Sequence, residues 1–387
     1  MMKFELRKEI LMLIDSKRED DYWDFKVKYH SNSANLLHDI ICMANNRVDR
    51  DAYIIFGVVD GTYEVVGVKD DENRRTQQHM IDFLKDKKFV SGIRPRVEVR
   101  NFIISGLEVD VLVIKNSTDT PYYLTEDYKD QGRIVRANHI YTRVGDTNTD
   151  INRSADINNV EYLWKKRFLL TRSPLEQVLK RLENKSEWKN GEGGYYNCIK
   201  PEFTITINNE DDEYDRRIPE FYSYALINSS TMYRELRIKY FNTQLFNDLI
   251  VILDGGRYST PAPKWAFLNF GEHKVHADYP FKYFTMDSAS YKLNEFLYNE
   301  EDQEEAHVRR RFFEVVLLFN DELEKETFLE YVHHYEDDFI NKLNTCDDYF
   351  SVDVDTDHHR DHIVERLKTG KVLNQMLLDF RFRWGYL

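Results

Sequence analysis

Phe4, Leu6, Ile10, Leu11, Leu13 and Ile14 return at helical spacing, so residues 3–17 predict an amphipathic helix. Trp23, Phe25 and Val27 then alternate with Asp24, Lys26 and Lys28, the pattern of a half-buried strand. Leu36, Leu37, Ile40, Ile41, Met43 and Ala44 predict a second helix, entered through Ser33. Residues 52–59 and 62–68 read as two strands around Asp60-Gly61, a favoured hairpin pair. A helix over 74–88 follows, then a hairpin of 96–104 with 107–115 across Ser105-Gly106. Short strands near 133–136 and 139–144 lead to a closing helix over 158–170.

The pattern then changes. Ser173-Pro174-x-Glu176 has the form of a helix start, with Ser capping, Pro at the first helical position and Glu returning to the cap. Asn190-Gly191-Glu192-Gly193-Gly194 reads as a flexible break. Strand signals recur at 203–207, 221–228, 232–241, 246–253 and 264–270. From Ala289 onward the spacing turns helical, as at Phe312, Val315, Val316 and Phe319. The expected organisation is a first domain over 1–170, a linker helix and Gly-rich break over 171–194, and a second domain over 195–387. The expected fold class is α+β: a mixed sheet with flanking helices, then a sheet followed by helices.

Composition narrows the partners. The 387 residues are 42% apolar and 14% aromatic, enough for sizeable cores. The net charge of −14 repels bulk nucleic acid, so any nucleic-acid role needs a local basic patch. Cys42, Cys198 and Cys346 form no CxxC and no zinc spacing, which favours a reducing compartment. No run is long and apolar enough to span a bilayer, and the opening residues lack a signal-peptide pattern. A cytoplasmic protein with no membrane partner is expected.

Glu19-x4-Asp24-Phe25-Lys26 carries candidate chemistry. In a strand, Asp24 and Lys26 share one face. Carboxylates bind Mg²⁺ or Mn²⁺ through oxygen, the metal lowers the pKa of its water, and a lysine can stabilise a scissile phosphate. Glu19 joins that face only if the chain bends at Asp20-Asp21. The other reading is an edge strand with a solvated polar face. Asp60 likewise has two readings, as a ligand or as a turn residue.

In order along the chain, Glu19-x4-Asp24-Phe25-Lys26, Ala44-Asn45, Phe56-Gly57-Val58-Val59-Asp60, Val66-Gly67-Val68, Pro121-Tyr122 and Ile140-Tyr141-Thr142-Arg143-Val144-Gly145-Asp146 resemble the Schlafen AlbA-type domain. The resemblance covers about residues 15–168. It implies a divalent-metal-dependent endoribonuclease acting on structured RNA such as tRNA, with a place in antiviral or stress defence. It also implies Glu19, Asp24 and Asp60 as the Mg²⁺ or Mn²⁺ ligands and Lys26 as their catalytic partner. Other members are ATP- or DNA-binding, which leaves a non-catalytic nucleic-acid- or nucleotide-binding regulatory module as the alternative. Asp24 stands where the family usually has Glu. Arg47-Val48-Asp49-Arg50-Asp51 replaces a Gly-Gly, which leaves ATP without a bare-backbone cradle. Animal members pair two such lobes around a groove. A single lobe here implies a homodimer, or a second wall from the other domain.

Arg94, Arg96, Arg100, Arg133, Arg136 and Arg143, with His139 and Tyr141 between the last of them, are the candidate RNA contacts. The run Asp353-x-Asp355-x-Asp357-His358-His359-x-Asp361-His362 lacks the glycine and distal Glu of a calcium loop and reads as an acidic helix entry. No G-x-S-x-G, P-loop or CxxC is present, so a serine hydrolase, a Walker NTPase and a thiol redox enzyme have no support.

Overall fold

Alternation along the strands decides which faces of the first sheet are covered, and by what. In the computed structural model, which describes residues 3–191, 193–208, 219–270, 279–347, 352 and 357–384, the chain divides into two units, Met1–Arg172 and Ser173–Leu387. The first contains α1 (Lys3–Asp15), β1 (Trp23–Lys26), α2 (Ser33–Ala44), β2 (Ala52–Phe56), α3 (Gln77–Lys85), β3 (Val97–Ile104) and β4 (Leu107–Ile114). It continues with β5 (Tyr128–Asp130), β6 (Arg133–Val135), β7 (Arg143–Val144), β8 (Thr147–Asn148) and α4 (Ile157–Arg167). The main sheet has the order β1-β2-β4-β3, with β1 parallel to β2 and the other pairs antiparallel.

Tyr53 and Ile55 face α1 with Trp23 and Phe25, in one core that also holds Leu6, Ile10 and Val111. Ile54 and Phe56 face the other way, into a core built on Leu37, Ile40 and Ile41 of α2. The register Asp24↔Ile54 and Lys26↔Phe56 puts the polar pair of β1 on that second face. The solvated-face reading of β1 is thereby corrected, because α2 covers the face and Asp24 is 3% exposed.

The second unit opens with α5 (Pro174–Arg181), whose Ser173–Glu176 capping box is formed. A sheet follows with the order β14-β13-β12-β11-β10-β9. Its strands are β9 (Trp188–Gly191), β10 (Gly194–Asn197), β11 (Phe203–Asn208), β12 (Thr231–Tyr240), β13 (Thr243–Leu253) and β14 (Tyr258–Pro261). A three-stranded sheet holds β15 (Lys264–Leu268), β16 (Tyr279–Thr285) and, beyond α6 (Ala289–Leu297) and α7 (Gln303–Phe312), β17 (Val316–Phe319). Helices α8 (Glu322–His334), α9 (Glu336–Thr345) and α10 (Asp357–Trp384) close the described chain. Both units mix helices with largely antiparallel sheet, the α+β class that the pattern predicts.

Several elements differ from the sequence reading. Asn190 and Gly191 pair with Tyr195 and Gly194 in the β9–β10 hairpin, and the unit that begins at Ser173 includes them. A Cβ on Gly194 would lie 2.0 Å from the Ile205 carbonyl oxygen, so this glycine serves strand approach, not flexibility. The apolar run at 221–225 is a buried 3₁₀ turn rather than a strand. The helical spacing at 312–319 hides the end of α7 and the start of β17. Residues 62–68 make one bridge, Val58↔Val65, and no strand. Of the Asp353–His362 run, Asp353 and Asp355 lie outside the described residues, and Asp357 to His362 open α10. Among the described residues no helix is long and apolar enough to cross a membrane.

α10 passes close to the backbone ahead of β17: a Cβ on Gly370 would stand 2.1 Å from the Val315 carbonyl oxygen. Gly370→Ala is expected to destabilise the second unit by about 1–3 kcal/mol, the range for overpacking. Urea unfolding measures it, and an unchanged midpoint would contradict this packing.

Candidate functional site

The polar face of β1 is buried, so its charges need partners inside the protein. The chain folds back before the strand through an Asp20↔Trp23 bridge. That bend lets Glu19 Oε1 accept from the Phe25 amide at 2.8 Å. Arg143 arrives from β7 and is 1% exposed. Its Nη2 donates to Glu19 Oε2 at 3.1 Å and to the Trp23 carbonyl at 3.2 Å. Its Nη1 donates to Asp24 Oδ1 at 3.1 Å and to Asn148 Oδ1 at 3.2 Å, and Nε donates to the Asp20 carbonyl at 2.8 Å. A guanidinium has five N–H groups, and each has an acceptor here. The other Asp24 oxygen lacks a well-shaped hydrogen bond and faces the Lys26 ammonium as an ion pair.

A third carboxylate, Asp39 of α2, extends the cluster. Asp39 meets His30 Nε2 at 2.9 Å and accepts from Asn148 Nδ2 at 2.9 Å. His38 contacts Asp39 at 3.7 Å and the Cys42 sulfur at 3.6 Å. Burial opposes charge on Asp39, but hydrogen bonds from His30 and His38 outweigh it and hold the carboxyl well below its usual range. Burial also opposes the Lys26 ammonium, yet the Asp24 and Asp39 carboxylates keep its pKa above the ordinary lysine value. Burial, then the neighbouring Asp24 carboxylate, push Glu19 up to about 7. Burial pushes the Cys42 thiol far up, which makes it inert as a nucleophile.

The structure therefore brings Glu19, Asp24, Lys26 and Arg143 together and leaves Asp60 out. Asp60 is exposed in the turn after β2, with no hydrogen bond or ion pair among the described residues. Arg143, expected as an RNA contact, is the internal counter-ion of the cluster. Tyr141 is also corrected: it is fully buried, its hydroxyl donating to the Ile151 carbonyl and accepting from the Arg136 amide. As arranged, the three expected ligands do not fit a shared divalent ion, since the Arg143 guanidinium already bonds Glu19 and Asp24, and Asp60 is an exposed turn residue outside their hydrogen-bond network. Among the described residues no group of three or more His, Cys, Asp and Glu side chains is placed to hold a metal.

The other expected contacts are more open. Arg94 and Arg96 are exposed on the rim of a cleft of about 500 Å³, beside Pro95, Lys115 and Asn116. Arg100 pairs with Glu98 at 2.8 Å. Arg133 is exposed, Arg136 is half-buried, and His139 is half-buried over Tyr141. The Asp130↔Arg133 and Tyr128↔Val135 register puts Arg133 on the same hairpin face as Tyr128.

A basic–aromatic patch adjoins that face. The Lys87 ammonium lies 4.5 Å from the Phe83 ring centre and 4.2 Å from that of Tyr128. The Arg75 guanidinium lies 5.0 Å over Phe83 and donates to Ser33 Oγ at 2.9 Å. Neither cation forms an ion pair with a carboxylate among the described residues. Burial, aided by Arg75, lowers the Lys87 pKa. Sequence reasoning missed Arg75, Phe83, Lys87 and Tyr128, because nothing in their spacing shows that α3 and the β5–β6 hairpin meet.

Residues 19–152 match the family model described as Schlafen, AlbA_2. The likeness to the Schlafen AlbA_2 domain lies within the N-terminal unit and covers about a third of the chain. Among solved structures, the DIP2311 protein from Corynebacterium diphtheriae aligns at 17% identity and a TM-score of 0.27, over 47% of this chain and 35% of that one. This chain thus spans about a third of that protein, and at that score the likeness carries no argument. No curated protein matches the chain significantly.

Proposed function

We propose that the N-terminal unit is a nucleic-acid-binding module that grips RNA through Arg75, Phe83, Lys87, Tyr128 and Arg133. The observation that carries this reading is the Lys87 ammonium set between two aromatic rings beside a second unpaired cation, Arg75. Cations answer phosphates, and half-buried rings offer faces to unstacked bases. RNA with unpaired loops, such as a tRNA-like fold, is the ligand class this surface suits. A homodimer would supply the second wall that a single lobe lacks. On this reading the Glu19–Asp24–Lys26–Arg143 cluster shapes the domain instead of cutting RNA.

The test is filter binding to a tRNA-like RNA across a salt series. Arg75→Glu with Arg133→Glu is expected to weaken binding by about tenfold or more and to flatten its salt dependence, as each lost phosphate contact releases fewer counterions. The same loss from Arg94→Glu with Arg96→Glu, and none from the first pair, would move the interface to the other cleft.

A second reading, a divalent-metal-dependent endoribonuclease, draws on one observation. Glu19, pushed up to about 7 by burial and the Asp24 carboxylate, lies in one charge cluster with the Lys26 ammonium. Cleavage of total RNA by the wild type, with and without chelator, and its loss in Asp24→Ala would favour this reading over the module. No cleavage by either protein leaves the module standing.

A further inference from the structure

The second unit has a pocket of about 650 Å³ between the turn after α5, the β9–β10 hairpin and the end of α6. This is within the size range of small-ligand sites. Its floor is aromatic. Phe296 stands edge-on to Trp188 at 5.5 Å and to Tyr195 at 5.1 Å. The Trp188 indole N–H donates to the Arg181 carbonyl at 3.0 Å, so the ring is fixed in orientation. Its rim is acidic. Glu183, Glu300 and Glu301 line it against one basic residue, Lys185. Glu183 is held by Lys180, whereas Glu300 and Glu301 have no ion pair among the described residues.

The chain itself shows what this surface attracts. Lys185 Nζ donates to the Tyr298 carbonyl at 2.5 Å and lies 5.8 Å from the Tyr298 ring centre. Arg309 lies 4.3 Å from the same ring centre. A tethered ammonium thus occupies the mouth of an aromatic pocket whose free charges are negative. Ring faces and carboxylates together favour a cation with an apolar body over an anion or a neutral polar molecule.

We propose that this pocket binds a small organic cation, an ammonium group on a short apolar body, and that Lys185 competes for its place. The ligand displaces the Lys185 ammonium from Tyr298, sets its charge between Glu300 and Glu301, and lays its carbon body on the aromatic floor.

Calorimetry on the full chain tests this with choline as the probe and 3,3-dimethylbutan-1-ol as its uncharged isostere. Choline is expected to bind about tenfold tighter than the alcohol, a step within the range of cation–π contacts. Glu300→Lys with Glu301→Lys should weaken choline by about tenfold at an unchanged melting temperature, since both side chains are exposed. Lys185→Ala should tighten it, because the competing ammonium is gone. Three outcomes would overturn the proposal: no choline binding, equal affinity for the alcohol, or a Lys185→Ala affinity that is unchanged or weaker.

Discussion

Arg143→Met is expected to cost the N-terminal unit about 3–5 kcal/mol at pH 7, the range for removing one partner of a buried ion cluster. The substitution keeps an unbranched apolar chain but removes all five N–H donors. It leaves the Glu19 and Asp24 carboxylates without their shared counter-ion, and it removes the side-chain donor to the Asp20 carbonyl and one of two donors to the Trp23 carbonyl. Lys26 cannot make up the loss, since its ammonium already faces the far oxygen of Asp24. Arg143→Lys should recover part of the stability and not all of it. An ammonium has three donors and no planar fork to span two carboxylates. Urea unfolding of the full chain, with hydrogen exchange of β1 and β2 to assign the transition, gives the measurement. A loss within about 0.5 kcal/mol, the ordinary effect of a surface change, would mean that Arg143 faces solvent and is free to meet RNA.

Arg143 also shows what the sequence could and could not reveal. The alternation Trp23, Asp24, Phe25, Lys26 announces a strand with one polar face. It does not say what lies over that face. The answer depends on α2 packing across β2 and on an arginine 119 residues from Asp24. A buried arginine and a phosphate-gripping arginine read alike in a sequence, because both are single basic residues in short strands. The Ser173 capping box and the β3–β4 hairpin were legible because their signals are local: a cap closes within three residues, and a turn within two. The errors arise where one pattern fits two structures. The apolar run Phe221–Ala225 suits a buried 3₁₀ turn as well as a strand, since all five residues are buried in either case. Phe312, Val315, Val316 and Phe319 keep helical spacing across a helix end, a turn and a strand start, because β17 is buried on both faces, Val316 in the core of Phe312 and Phe319 in the other core. Glycine at 194 signals a bare backbone, and only the neighbouring strand shows that the backbone is bare for close pairing.

Glu19 should make the N-terminal unit less stable as the solution is brought to neutrality. Its carboxyl sits at about 7 in the folded protein against 4.5 for the ordinary group, owing first to burial and then to Asp24. Between those two values the folded state holds a proton that the unfolded chain has released. The contribution is therefore complete below pH 4.5 and lost as pH rises through about 7. A shift of this size corresponds to at most about 3 kcal/mol. Glu19→Gln keeps the side-chain volume and an acceptor for the Phe25 amide, and it deletes the titration. The difference in stability between variant and wild type, taken from urea midpoints across that window, should therefore shift in the variant's favour as pH rises. Subtracting the two curves removes the contributions common to both proteins. Parallel curves would show that Glu19 is ionised throughout and that Arg143 outweighs burial. The same titration bears on the two functional readings. If the unit cleaves RNA through this cluster, the rate should bend near the same pH, and Glu19→Gln should remove the bend. If the unit only binds, affinity for RNA should pass through that pH without a step, because the Lys87–Phe83–Tyr128 patch does not include Glu19.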